Sequence, residues 1–573
     1  MKNVKKNVKG KRIELIKEFL IAIEQYIVVA YLFCMLGIFP LFYKEQYYKI
    51  GNAKFEFFWK VSLGFIGISL VFVLMKCILQ RMQHKIYTSS SILWKFLDNL
   101  STLDYAVFIY AICVLLSYAF SDFKDYALKG AAGWEMGLCS QMIFVAIYFI
   151  LSKQTIVKGP NQSDQNNWKV LTLSKQSKFS VVILWMHLIS SVLVFIFGIL
   201  HRFDIDPLGM YIGLDLYQKI EFLSTIGQAT WFSSYACTVF AIGVVIFYVS
   251  EKRWLRIMTG IYSIISFGIL VTQNSDSAFM AIAGIMLLLG YFSLSDIEKW
   301  CRFWQIMCLM WGTFGGMGIL QKVYADRAIP LDSLSIFFSQ SMVTWVMLLL
   351  SLGMLSFYTT NCKKEKTQIH MNRKIMEITK VVYKGLLIIL AAGTIVTIIF
   401  IYLNTKGYLL QWFGYQNTNQ YLFFDFHWGS NRGSTWTICW QVFLSLPWFQ
   451  KLFGVGPDSL SAYLYSVPDI SDLLHNLWGS TLVTNAHNEY LNSLLCYGVV
   501  GVISWLAVLI GGIVYFYRKA KKNPFMIAFA LCIMGYTCHN IFCYQQVCCT
   551  PFLFIALGIG ESLTKSENFN TIK

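Results

Sequence analysis

Residues 485–501 read NAHNEYLNSLLCYGVVG, and the apolar run that they open continues to residue 516. Polar, proton-handling groups (His487, Asn488 and Glu489) thus stand at the mouth of a segment long enough to cross a hydrocarbon layer about 30 Å thick. Read as a helix, the spacing i, i+3, i+4, i+7 puts His487, Tyr490, Leu491, Leu494 and Gly498 on one face. Gly498 and Gly501 permit close helix packing below. Thr484 or Asn485 is the expected N-cap, leaving unpaired first-turn N–H groups near His487. Helix ends of this kind attract anions, phosphate in particular. Glu489 falls off the His487 face and is expected to face solvent. A titratable group at such a mouth suits proton transfer or phosphate contact; simple interfacial anchoring is the plainer role for the same residue.

Outward from this stretch, the 573 residues are 57% hydrophobic, 17% aromatic and 13% charged. Soluble domains carry about 25% charged residues, so the composition is that of a membrane protein. Apolar runs of span length fall near 19–42, 59–79, 103–120, 133–152, 178–200, 222–248, 254–272, 277–294, 303–321, 338–358, 381–403, 490–516, 524–541 and 546–561. The expected fold is all-α and polytopic, with roughly fourteen transmembrane helices.

Basic runs set the orientation. MKNVKKNVKGKR, KCILQRMQHK, EKRWLR, NCKKEK with NRK, and YRKAKK alternate with the mixed or acidic connections HRFDIDPLGM, TQNSDS and YADRAIPLD. Lys and Arg stay preferentially on the cytoplasmic side, which puts both termini inside and the 404–486 connection outside. The net charge of +17 is accounted for by topology and contact with anionic membrane lipids. No soluble basic domain is present to hold a nucleic acid, and no nucleic-acid partner is expected. The first apolar run is of span length without a small-residue cleavage site behind it, so the first helix is expected to insert and remain.

Three regions follow: helices in 1–403, the connection 404–486, and helices with a short cytoplasmic tail in 487–573. The connection is rich in aromatics, including Trp412, Trp428, Trp436 and Trp440. It is expected to fold onto the outer face, with an amphipathic helix near 434–445. The fifteen cysteines lie mostly inside spans and lack zinc spacing, so buried free thiols are expected. Gly454 and Gly456 in FGVGPD allow a tight turn, with Pro457 fixing the next φ; it serves either to offer N–H groups to phosphate or as a plain structural turn. It lacks the Lys-Ser/Thr pair of a nucleotide loop.

These residues resemble a known family. His487-Asn488, Tyr490-Leu491, Leu494, Gly498 and Gly501 look like the signature of the O-antigen ligase and polymerase superfamily. LFGVGPDSL (452–460) is similar to its glycine-rich segment, and RGSTWTICWQVF to its arginine followed by a tryptophan-bearing helix, which singles out Arg432. FLSTIGQATWFSSY (222–235) resembles its short re-entrant element, with Gln228-Ala229 in place of the usual polar pair. TQNSDSAF (272–279) stands where a Ser-Arg motif is found, with Asp276 in the arginine's place. Asp276 can orient an arginine, accept a proton or cap the following helix, capping being the foremost reading.

The resemblance implies a metal-independent membrane glycosyltransferase of the C type that needs no cofactor. Its donor is a lipid-linked oligosaccharide on undecaprenyl diphosphate at the outer face of the bacterial cytoplasmic (inner) membrane. Its acceptor is a glycan or a lipid, and its partners extend to other surface-polysaccharide assembly proteins. The leaving diphosphate calls for arginines that donate bidentately: Arg432 first, with Arg202 and Arg327 on the same side. A local ion pair with Asp326 is the rival role for Arg327. His487 is the expected base or diphosphate contact, and Asn488, Tyr490, Gly454 and Gly456 are expected to line the substrate. A ligase and a polymerase differ in acceptor alone; the number of spans leans toward polymerase. A transporter or flippase of lipid-linked oligosaccharide is the reading from a different class.

Overall fold

The computed structural model describes residues 2–84, 100–153, 178–361, 366–419 and 421–571. The basic runs at 1–12, 76–85 and 361–373, used above for orientation, lie wholly or partly outside the described side chains. α1 (Lys2–Leu32) runs into a π-helical segment, Phe33–Ile38, and a tight turn, Phe39–Leu41. Next come α2 (Ile50–His84), α3 (Thr102–Phe120), α4 (Leu138–Ser152) and α5 (Lys178–Arg202). A hairpin of β1 (Phe222–Leu223) and β2 (Gly227–Gln228) precedes α6 (Ala229–Val249). Then follow α7 (Arg253–Thr272), α8 (Ser277–Ser293), α9 (Ile297–Val323), α10 (Met342–Asn361) and α11 (Lys366–Thr405). The long connection holds α12 (Trp428–Ser445), and α13 (Glu489–Ala520), α14 (Ile527–His539) and α15 (Thr550–Thr571) complete the order.

Every apolar segment expected from the sequence falls on one of these helices, and the chain is an all-α polytopic membrane protein. Among the described residues, 10 helices are long and apolar enough to cross a membrane, while α4, α8 and the 524–539 segment are shorter. Two expected spans begin late. The 133–152 run becomes helical at Leu138, because Gly130, Gly133 and Glu135 have positive φ and hold a turned loop. The 222–248 run starts as the hairpin around Ser224, whose φ is 55°, and becomes helical at Ala229. Ser224 Oγ donates to Val194 O at 2.6 Å, and Tyr47 Oη donates to Ser224 O at 2.7 Å. These bonds satisfy a non-helical backbone inside the bundle, as an apolar surround requires.

α6 is the axis of the molecule: nearly all of its apolar stretch is buried by other helices, whereas none of that of α11 is. Local chemistry sets the helix starts. Ser101 and Asp104 form a capping box at α3, and Asp296 caps α9 by accepting from Glu298 N and Lys299 N; such caps are worth about 1 kcal/mol. One end of the bundle collects the connections before α2, α4, α6, α8, α10, α13 and α15, tied together by side chains. Gln46 Nε2 donates to Gly209 O at 2.9 Å, Arg202 Nη2 to Gln273 O at 2.9 Å, and Ile329 N to Arg202 O at 2.9 Å. At the other end, Asp104 receives Lys153 at 3.0 Å and Lys565 at 2.8 Å, joining α3, α4 and α15.

The 404–486 connection is folded. Besides α12 it holds the short helices Tyr408–Phe413, Trp448–Phe453, Leu460–Ser466 and Pro468–Trp478. Every described cysteine is free, Cys439 in this connection included.

Candidate active site

The site builds from two backbone departures. Before Arg432, the residues Gly429, Ser430 and Asn431 all have left-handed φ, at 57°, 58° and 65°. Two of them are non-glycine, and such strain persists only where surrounding contacts enforce it. Here Ser434 N donates to Phe426 O at 3.0 Å, Asn431 N to His427 O at 3.2 Å, and Arg432 Nη1 to Gly429 O at 2.7 Å. The guanidinium is thereby aimed at the 540–549 turn, where Nη2 meets Phe542 O at 3.4 Å. Arg432 Nε is shut off from water without a hydrogen-bond partner. Trp428, Trp436 and Phe542 pack ring to ring beside it, Trp436 and Phe542 stacking at 5.9 Å.

His487 is the second departure. Its φ is 48°, so it lies outside α13, and the helical-wheel placement derived from the sequence does not hold. The N-cap is Asn488, whose side chain accepts from Leu491 N at 2.9 Å, rather than Thr484 or Asn485. Asn485 Oδ1 instead accepts from His487 N at 3.0 Å. The imidazole sits edge-on to Tyr544 at 5.2 Å. Burial, and then the positive charge of Arg432, lower His487 to about 4, so it is a neutral acceptor at pH 7. Arg432 itself is drawn below the usual arginine value by burial, against the pull of Cys543, Asp276 and Tyr544, and stays charged.

Asp276 stands at the first position before α8 but makes no capping bond. Loss of hydration and the neighbouring Asp332 raise it to about 6, against the attraction of Arg432 and a hydrogen bond from Tyr421. Arg432 is near enough to attract it, and the capping expectation is corrected. Below lies His539, whose Nε2 is 2.7 Å from Ser233 Oγ and 2.9 Å from Ser277 Oγ.

Glu489 is also corrected. It is 1% exposed rather than solvated. Its carboxylate accepts from Tyr536 Oη at 3.2 Å, Gln545 Nε2 at 3.2 Å and Asn540 Nδ2. Gln545 Oε1 in turn accepts from Gln141 at 2.7 Å, and Gln141 from Tyr110 at 2.8 Å. A buried carboxylate at a helix start is favoured by the helix dipole and by full hydrogen bonding. The network fixes the 540–549 turn against α13. A narrow cleft behind His487 is lined by Trp134, Asp458, Asn485, Glu489, Asn492 and Tyr544. Asp458 Oδ2 accepts from Ala131 N at 2.8 Å and Met136 N at 3.0 Å, and burial raises its carboxyl to about 7.

The remaining candidates separate. Gly454 and Gly456 donate their N–H groups to Gln450 O at 2.7 Å and Cys496 O at 3.1 Å, and Val455 N donates to Leu495 O at 2.9 Å. The turn therefore spends these donors on protein carbonyls, not on a ligand. α13 breaks at Gly498, with φ 70° and ψ −175°. A Cβ at Gly454 would strike the Cys496 carbonyl, and one at Gly498 the Leu452 carbonyl. The two glycines let the segments touch. Tyr490 Oη donates to Thr537 O at 2.7 Å, tying α13 to α14. Arg202 is fully buried and braces carbonyls of Lys219, Ile220 and Gln273, which is the chemistry of a structural clamp. Arg327 is exposed. Among the described residues no group of three or more His, Cys, Asp or Glu is disposed to hold a metal.

Residues 328–506 match a family model described as O-antigen ligase. Comparison with curated proteins gives no match. The matched segment takes in α10, α11, the whole 404–486 connection and the first half of α13, and so carries Arg432, the Gly454–Gly498 contact and His487. Arg202, His539 and the 540–549 turn complete the same end of the bundle from outside it. This match, on an all-helical architecture, supports the resemblance of the chain to the O-antigen ligase and polymerase superfamily.

Proposed function

We propose that this protein transfers a glycan from a polyprenyl diphosphate carrier to an acceptor hydroxyl at the outer face of the bacterial cytoplasmic membrane. The observation that carries the reading is the pairing of Arg432 with His487 at the mouth of α13. Arg432 is held by carbonyls on two sides and keeps an unpartnered Nε. His487 is kept neutral by burial and by that arginine.

In this reading the acceptor hydroxyl oxygen attacks the anomeric carbon and its proton passes to His487. The bond between the anomeric carbon and the phosphate oxygen breaks, and its electron pair leaves with the diphosphate. The Arg432 fork meets that charge with directed donors. Asp276 lies near enough to attract Arg432 and steady its charge. Collection of these groups at one end of the bundle supports transfer over transport, which relies on sites near the bilayer midplane.

The test uses the purified chain in liposomes with undecaprenyl-diphosphate oligosaccharide, read by mass spectrometry, beside His487→Ala. A ladder of longer lipid-linked glycans that the substitution abolishes is the outcome expected of a polymerase. Transfer only once a surface acceptor is added makes the protein a ligase. Glycan crossing the bilayer unchanged would sink the proposal.

A further inference from the structure

The end of the bundle remote from His487 carries a second concentration of cationic chemistry. α7 climbs from Arg253 at that end to Thr272 at the candidate active site. Arg256 lies about 24 Å from Thr272 along it, at 1.5 Å per residue. The Arg256 guanidinium packs over the Phe247 ring at 5.7 Å and donates Nη2 to Gln305 Oε1 at 3.1 Å. α9 packs against α7 and brings Arg302 close enough for the two positive charges to oppose each other.

Two half-buried like charges side by side are unfavourable unless an anion joins them. Glu251 and Glu298 are near enough to attract Arg302, and Tyr248 faces it from α6. Even so, Arg256 Nε and Arg302 Nη1 are both closed to water and have no hydrogen-bond partner. Gln305 stands one turn from Arg302 on the same helix, so the Arg256–Gln305 bond brings the two guanidinium groups to one seam. Guanidinium N–H groups without acceptors are what the several oxygens of a phosphate group satisfy, and guanidinium forks match that geometry.

The surroundings indicate where the phosphate comes from. Trp185 and Trp254 stack at 6.1 Å with their planes 14° apart, and tryptophan collects at headgroup depth. Trp254, Ile257 and Ile261, on the face of α7 turned away from Arg256, are exposed apolar surface, which puts this end of α7 at the level where headgroups meet acyl chains. Basic pockets between helices are a recurrent lodging for anionic headgroups. We propose that Arg256 and Arg302 form a site for the phosphate group of an anionic membrane lipid, at the end of the bundle opposite the candidate active site.

Native mass spectrometry of the purified full chain, equilibrated with phosphatidylglycerol or phosphatidylcholine, tests this. Phosphatidylglycerol should be retained at least tenfold better, and Arg256→Gln with Arg302→Gln should remove the preference. Equal retention of the two lipids by the unaltered protein overturns the site, as does an undiminished preference in the folded double variant. Should that variant fail to fold, Arg302→Lys keeps the charge and loses the fork. It should cut the preference at least threefold, and no change would again overturn the site. Thermal unfolding of the unaltered protein separates the sources. Stabilisation by phosphatidylglycerol but not by inorganic phosphate supports the lipid, and equal stabilisation by both overturns it.

Discussion

Arg432 and His487 are both set by unusual backbone, and the charge of the first lowers the basicity of the second. Arg432→Lys keeps a positive charge and discards the planar fork. Membrane insertion should be unchanged while turnover falls by on the order of 100-fold, the loss typical of one directed donor to a developing anion. Near-normal turnover at equal protein level would take Arg432 out of the chemistry. His487 serves as a base only when neutral. With its value lowered to about 4 by burial and Arg432, the loss of kcat/KM that belongs to His487 should come as pH falls through 4, below the limb set by Asp276 near 6. Arg432→Gln removes a neighbouring positive charge, so the residual activity should show that acid limb moved upward. An unmoved limb would mean that the two side chains do not sense each other.

Among the elements, the junction of 452–456 with α13 is the most demanding. Gly498 sits at φ 70° and abuts the Leu452 carbonyl. Gly498→Ala therefore brings left-handed strain and a backbone collision together, with an expected cost of about 1–3 kcal/mol. Thermal unfolding in detergent should show a clear drop, and an unchanged midpoint would contradict the described contact. Much of this element structure is legible from the sequence, because long apolar runs and short local motifs report on their own neighbourhood. The spans, the α12 helix and the importance of residues 487–501 all read directly. What is not legible depends on partners far away in the chain. Glu489 looks solvated until Asn540 and Gln545 reach it from 51 and 56 residues on. Asp458 acquires its partners from 327 and 322 residues earlier. His487 defeats the helical wheel because a periodicity argument cannot see a φ of 48°. Gly454 and Gly456 show a turn in the sequence, but not that the Val455 and Gly456 N–H groups go to α13. The candidate site was thus half legible: its arginine and histidine stood in motifs, whereas His539, Tyr544 and the turn around them had no local signal.

For the whole molecule, the prediction concerns sidedness. Tyr48 is 86% exposed on the connection before α2, at the candidate-site end, and Lys522 is exposed beyond α13 at the other. In intact cells, a membrane-impermeant maleimide should label Tyr48→Cys, and Lys522→Cys only after permeabilisation. The reverse pattern would turn the protein over and remove the outer-face reading. The broken α13 also orders how such a protein is put together. The Leu495 carbonyl accepts from Val455 N, and the Cys496 carbonyl from Gly456 N and Ser117 Oγ, rather than from the helix alone. A newly inserted α13 therefore carries carbonyls that lipid cannot satisfy until residues 452–456 have docked on the same side and α3 is already beside it. The lasting shape of α13 thus requires both α3 and the long connection to be in place beside it.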